Sequence, residues 1–173
     1  MRSFSVSMTA LSLLMMCGIT QADSPLTSTS FYHVYTENCA TVQECELISE
    51  AAQSKTLSKE MYQFIRSADV TLDRKMTIVN ALGWDFGGQN NAELFKEFFN
   101  KDCRRCGPTP EEKMVLAYMM AMDNYFDVTE ALALATEALN AASPNFTLSL
   151  IHCLISGQSN MSDTSQWGMI WKD

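Results

Sequence analysis

Residues 109–126 read TPEEKMVLAYMMAMDNYF. Thr109 has the side chain of a helix cap, Pro110 suits the first helical position, and Glu112 can reach back to close a capping box. From Met114 to Met122 every residue is apolar. A helix that is apolar on every side buries most of its surface. The stretch therefore predicts a central helix running on through Tyr125 and Phe126, with other helices packed around it.

Helix signals continue on both sides. Upstream, Thr41 and Glu44 form a capping pair that opens a helix to about Gln53. Ser58 caps a second helix, in which Met61, Phe64, Ile65 and Ala68 recur at helical spacing. Thr71 caps a third, with Leu72, Met76, Val79 and Leu82 on one side and Gly83 as its stop. Asn90 or Asn91 starts a fourth, whose apolar set is Leu94, Phe95, Phe98 and Phe99. Downstream, Asp127 or Thr129 caps a sixth helix. Ser143 and Pro144 open a seventh, which ends at Gly157. No segment shows strand alternation and no Asn-Gly or Asp-Gly pair marks a hairpin turn. About seven helices with short loops predict an all-α domain of antiparallel helix hairpins, as a bundle or a short solenoid-like array.

Two segments resemble helical repeats. EALALATEALNAASPN (residues 130–145) is similar to the second helix of a tetratricopeptide repeat, with Ala131 and Ala138 seven apart and a proline close behind. LDRKMTIVNALGW (72–84) is similar to the inner helix of a HEAT-type repeat through Ala81, Leu82 and Gly83. Each covers less than one repeat and no fixed period links them. The resemblance implies stacked hairpins with a groove, not membership of a repeat family.

Residues 1–22 read as a cleaved secretory signal: Arg2, an apolar run from Met8 to Ile19, and the small-x-small ending Thr20-Gln21-Ala22. Met16 stands before Cys17, where a lipoprotein signal needs a small residue. The expected location is the periplasm or the exterior, with residues 23–157 as one domain and 158–173 as a polar linker with an aromatic tail. Residues 23–31, DSPLTSTSF, read as a mobile polar leader. The whole chain has 173 residues and a net charge of −8, which becomes −9 once Arg2 is removed. Nucleic acid and anionic membranes are poor partners for such a chain, and no membrane insertion is expected.

Five cysteines remain after the signal: Cys39, Cys45, Cys103, Cys106 and Cys153. Secretion favours disulfides, and the neighbours in sequence suggest Cys39–Cys45 and Cys103–Cys106, with cross-pairs left open. Cys153, inside LIHCLI, is expected to be a buried free thiol. Arg104 and Arg105 would lower a thiolate pKa between Cys103 and Cys106. The motif follows a helix rather than a strand, however, and Gly107-Pro108 separates it from the next cap. A structural clasp is the favoured reading, with a redox pair as the alternative. No zinc spacing, HExxH, nucleophile elbow or phosphate loop is present, so no metal or cofactor is expected. His152 and His33 are the only histidines, and His152 reads as a satisfied buried side chain.

Between Met114 and Trp171 there is no Lys or Arg, while Asp123, Asp127, Glu130, Glu137 and Asp163 fall there. These carboxylates have no local cation and read as a solvated face or a docking face for a basic partner. Trp84 and Phe86, in the GWDFGGQNN connection, are expected to fold back onto the core, with a stacking surface as the other reading. Trp167 and Trp171 in the tail read as docking residues. Met114, Met119, Met120 and Met122 read as core filling. Residues 145–147 and 160–162 are glycosylation sequons, relevant only in a eukaryotic secretory pathway. The expectation is an acidic interaction protein without chemistry of its own, such as a toxin-neutralising (immunity) protein or an envelope assembly adaptor. A thiol–disulfide exchange protein using Cys103 and Cys106 is the alternative. A helical hydrolase with a dispersed site is the weakest reading.

Overall fold

The structure, a computed structural model, describes residues 24–103 and 106–162. All regular structure among them is helical: α1 (Pro25–Ser28), α2 (Tyr32–Glu37), α3 (Val42–Ser54), α4 (Lys59–Arg66), α5 (Leu72–Leu82), α6 (Asn91–Asp102), α7 (Pro110–Asp123), α8 (Thr129–Ala141) and α9 (Phe146–Ser162). The protein is thus an all-α, disulfide-stapled helix bundle.

The α7 helix sits at the centre as its sequence demands. Its capping box is complete: Thr109 Oγ1 accepts from Glu112 N at 3.2 Å and Glu112 Oε2 accepts from Thr109 N at 2.8 Å. Glu112 also takes Arg66 Nε at 3.0 Å, and the same guanidinium lies 4.8 Å over the Phe99 ring. One residue thus joins the start of α7 to α4 and α6. Met114, Val115, Ala117, Tyr118, Met119, Ala121 and Met122 are buried, with Leu116 and Met120 half-buried. The methionines mainly fill the core, as expected.

A second central helix is α5. Every residue from Met76 to Leu82 is buried, including Thr77 and Asn80. Sequence spacing assigned it one apolar face, because polar residues break the pattern on the other. Those residues are satisfied internally. Thr77 Oγ1 donates to Asp73 O at 2.9 Å. Asn80 accepts from Tyr32 N at 3.0 Å and donates to Thr29 O and to the Tyr118 hydroxyl, both at 2.8 Å.

Consecutive helices α6, α7, α8 and α9 pack on one another, and α7 also touches α5 and α9. The first and last described helices meet as well, because α1 packs on α9. That long-range closure makes a bundle rather than an open array, in which each repeat touches only its neighbours. It also corrects the reading of residues 23–31 as a mobile leader. Leu26 is fully buried, and Ser24 caps α1 by accepting from Thr27 N at 3.2 Å. The same contact explains why α9 does not stop at Gly157. A Cβ at that position would lie 3.1 Å from Pro25 Cγ, so the glycine serves close helix approach inside a helix that runs on to Ser162. Gln158, expected in a linker, is buried.

Other local readings shift slightly. Thr41 and Ser58 cap α3 and α4 through Glu44 N (3.1 Å) and Met61 N (3.3 Å). Thr71 precedes α5 without making a cap bond to its backbone. Asn145, not Ser143, caps α9, accepting from Thr147 N at 2.8 Å. Gly83 ends α5 at φ 62°, a conformation that favours glycine.

Cys39 pairs with Cys45 and Cys103 with Cys106, each with Cα atoms 5.6 Å apart. Such bonds fit an oxidising compartment. Cys153 is free but exposed, contrary to expectation. The buried face of α9 is Leu148, Ile151, Leu154 and Ile155. Cys153 lies two residues past Ile151, on the far side of the helix. Among the described residues, no helix is long and apolar enough to cross a membrane.

Candidate functional site

Two loops meet beside the end of α7. One is the α5–α6 connection, residues 83–90; the other is the α7–α8 connection, residues 124–128. Sequence reading extended α7 to Phe126, but it ends at Asp123. Tyr125 and Phe126 therefore belong to the loop. The loops are stitched together by Gln89 N donating to Asp123 O at 3.3 Å, and Gly88 allows that approach at φ 79°. Gln158 of α9 supports them from below, donating from Nε2 to Tyr125 O at 3.1 Å.

This meeting point carries a run of aromatic rings. Trp84 stacks on Tyr125 with centroids 5.1 Å apart. Tyr125 meets Phe126 edge-on at 5.2 Å, and Phe126 meets Phe86 edge-on at 5.7 Å. Trp84 folds back half-buried, as expected. Phe86 does not: it is 74% exposed and Phe126 64%. Two large apolar side chains held together in water form a small patch suited to recognition.

Next to the patch lies a cleft of about 360 Å³ between α6 and the α7–α8 loop. Asp123, Asp127 and Glu130 line it, joined by Glu93 and Lys96 from α6. The three carboxylates singled out from sequence are thus brought together. Their roles differ. Asp123 is a tertiary helix cap: its Oδ2 accepts from Ala92 N at 2.7 Å, serving α6, whose own Asn90 makes no cap bond. Burial raises the Asp123 pKa above 3.8, only partly offset by the backbone hydrogen bonds from Ala92 and Asn91. Asp127 is fully exposed and caps α8 by accepting from Thr129 N at 3.1 Å; side-chain and backbone hydrogen bonds from Thr129 lower its pKa. Glu130 and Glu93 are exposed, and Lys96 pairs with Glu93 at 2.6 Å. One cation against four carboxylates leaves the cleft acidic.

Asp123→Ala should cost about 1–2 kcal/mol, the usual loss for a cap, and Asp123→Asn less. The pH dependence has a definite sign. A carboxyl whose folded pKa lies above its unfolded one binds more protons when folded, so its ionisation weakens the fold as pH rises from about 3.8 through the raised value. Asp123→Asn should flatten that part of a melting-temperature profile. An unchanged slope would remove Asp123 as its source.

The wider acidic span is less unpaired than its sequence suggests. Lys113, one residue outside it, reaches Glu137 Oε1 at 2.5 Å. Trp167, Trp171 and Asp163 lie outside the described residues. Asn91, expected only to start α6, is buried, accepts from Leu57 N at 2.8 Å and donates to Lys55 O at 3.2 Å.

The Cys103–Cys106 pair closes the C-terminal end of α6, with Cys103 N donating to Phe99 O at 2.8 Å. Cys106 is exposed. The negative end of a helix disfavours a thiolate, which exchange chemistry requires. His152 is half-buried rather than buried and bonds Thr136 Oγ1 at 3.1 Å. His33 is exposed, its ring 4.0 Å from Tyr32. Among the described residues, no three His, Cys, Asp or Glu side chains are grouped to hold a metal ion. A second hollow, of about 480 Å³, lies where α3, α4 and α5 approach, and the Glu44–Arg74 ion pair forms part of its wall. Compared with known proteins, the chain matches no family model, no curated protein and no solved structure.

Proposed function

We propose that this chain is a non-enzymatic binding protein of the periplasm or exterior, which docks a basic segment of another protein, as an immunity protein or an assembly adaptor would. What supports the reading is one juxtaposition: the exposed Phe86–Phe126 pair stands beside a cleft lined by Glu93, Asp127 and Glu130. Apolar anchors beside a field of one sign are how interfaces combine affinity with steering. The acidic net charge of −8 favours approach by a cationic partner.

The test is selection from a displayed random-peptide library on the full chain. Selected peptides should carry Lys or Arg next to an aromatic or aliphatic residue. Binding should weaken about tenfold between low and high salt, as expected for exposed charges. Glu93→Lys with Glu130→Lys should weaken it at least as much, since both side chains are exposed and neither caps a helix. Peptides without basic enrichment, or binding indifferent to that charge reversal, would sink the reading.

A further inference from the structure

A buried ion pair such as Glu44–Arg74 is a poor source of stability, since its apolar replacement is often neutral. Its place in the fold points to another use. The pair stands in the wall of the hollow between α3, α4 and α5, which at about 480 Å³ is larger than the aromatic cleft and falls in the range of small-ligand pockets. There it supplies hydrogen-bond donors without net charge. Both Glu44 oxygens bond Arg74 Nη1, while Arg74 Nε and Nη2 make no hydrogen bond among the described residues and the side chain is partly open to solvent. Two amides line the same hollow, Gln43 and Gln63, both exposed and both without a side-chain partner among the described residues. Phe64 and Val70, both half-buried, add apolar contact. Ser67 Oγ accepts from Asp69 N at 3.3 Å and so sets the turn that leads into Val70.

The lining selects a class of ligand. An amide both donates and accepts a hydrogen bond, and so does a hydroxyl, so a ligand rich in hydroxyls can satisfy Gln43, Gln63 and the free edge of Arg74 together. A sugar ring also has a C–H face, which suits Phe64 and Val70. Anions are disfavoured, because Glu60 and Asp69 line the hollow, are exposed, and form no ion pair among the described residues. We infer that this hollow binds a small neutral saccharide, held by Gln43, Gln63 and Arg74 with its C–H face against Phe64 and Val70. With about 12 non-hydrogen atoms, a single sugar ring should bind with a Kd on the order of 1 mM. The site is separate from the acidic cleft, and the inference stands whether or not a basic partner docks there.

The test is an NMR titration of the isotope-labelled full chain with D-glucose, D-galactose, D-mannose and N-acetyl-D-glucosamine, each to about 50 mM. At least one should shift the backbone amides of Ser67, Val70 and Thr71 and the side-chain amides of Gln43 and Gln63. D-glucuronate and putrescine should bind more weakly than that sugar, the first because the rim is acidic and the second because it has no hydroxyls. Gln43→Ala with Gln63→Ala removes two exposed side chains that bond nothing in the fold, and should weaken binding about tenfold. Glu44→Leu with Arg74→Leu should weaken it at least as much while the urea midpoint changes little. If the leucine variant does not fold, the glutamine variant alone decides. No shift with any of the four sugars, shifts confined to other faces, tighter binding of D-glucuronate or putrescine, or an affinity unchanged in either folded double variant overturns the inference.

Discussion

Asn80→Ala should lower the unfolding free energy by about 3 kcal/mol, a large share of the margin of a domain this size. The side chain is 5% exposed and makes three hydrogen bonds, to Tyr32 N, Thr29 O and the Tyr118 hydroxyl. Alanine removes all three and fills nothing. Each buried polar group left without a partner costs about 1–3 kcal/mol, but Thr29 and Tyr32 lie where water can reach them. The expected loss therefore falls below the simple sum. Tyr118 is the exception to that relief. Its ring is fully buried, and burial holds its phenol pKa well above the ordinary value. Asn80→Asp should be at least as damaging at neutral pH, because a carboxylate would face two oxygens that now accept or share a proton. Urea titration measures the loss. Hydrogen exchange locates it, since the Tyr32 amide should exchange much faster. A cost below about 1 kcal/mol would mean that the connection from α1 to α2 is held by apolar contact alone.

That residue also shows where sequence reading stops. The start of α7 was legible because a capping box is local: Thr109, Pro110 and Glu112 lie within four positions. The apolar run behind it could only be central. The disulfides paired neighbours, which spacing also suggested. The α5 helix was harder, since Asn80 and Thr77 look like a polar face until their partners 48 and 51 residues away or one turn back are known. Asp123 looked like a surface carboxylate for the same reason: its partner, Ala92 N, lies 31 residues upstream. Gly157 carried the signal of a helix stop, yet its lack of a side chain serves Pro25, far away in sequence. Of the candidate site, the carboxylates were legible as an unpaired charge run. Phe126 was not, because it follows an apolar helix and continues its pattern. Only the end of α7 at Asp123 turns it outward toward Phe86.

Arg74→Met should cost about 3 kcal/mol at neutral pH, the usual effect of stranding one member of a buried ion pair. The Glu44 side chain is 2% exposed, and both its oxygens lie 2.5 Å from Arg74 Nη1. Without the guanidinium, the carboxylate keeps one strong donor, Ala40 N at 2.9 Å. One hydrogen bond does not repay the loss of hydration of a full charge. The partners are not equivalent. Arg74 is 27% exposed and lies 5.7 Å over the Tyr35 ring, so it can turn to water if Glu44 is neutralised. Glu44→Gln should therefore cost only about 1 kcal/mol, since the amide oxygen can still accept from Ala40 N. The asymmetry is the test. Arg74→Met should cost at least about twice as much as Glu44→Gln, because only the first strands a charge. Replacing both residues by leucine should recover most of the stability, since apolar replacement of a buried pair is often neutral. Urea titrations of the two single variants and the double variant separate these outcomes. Equal costs for the two single variants would mean that the Glu44 carboxylate is hydrated in solution and the pair contributes no more than a surface contact.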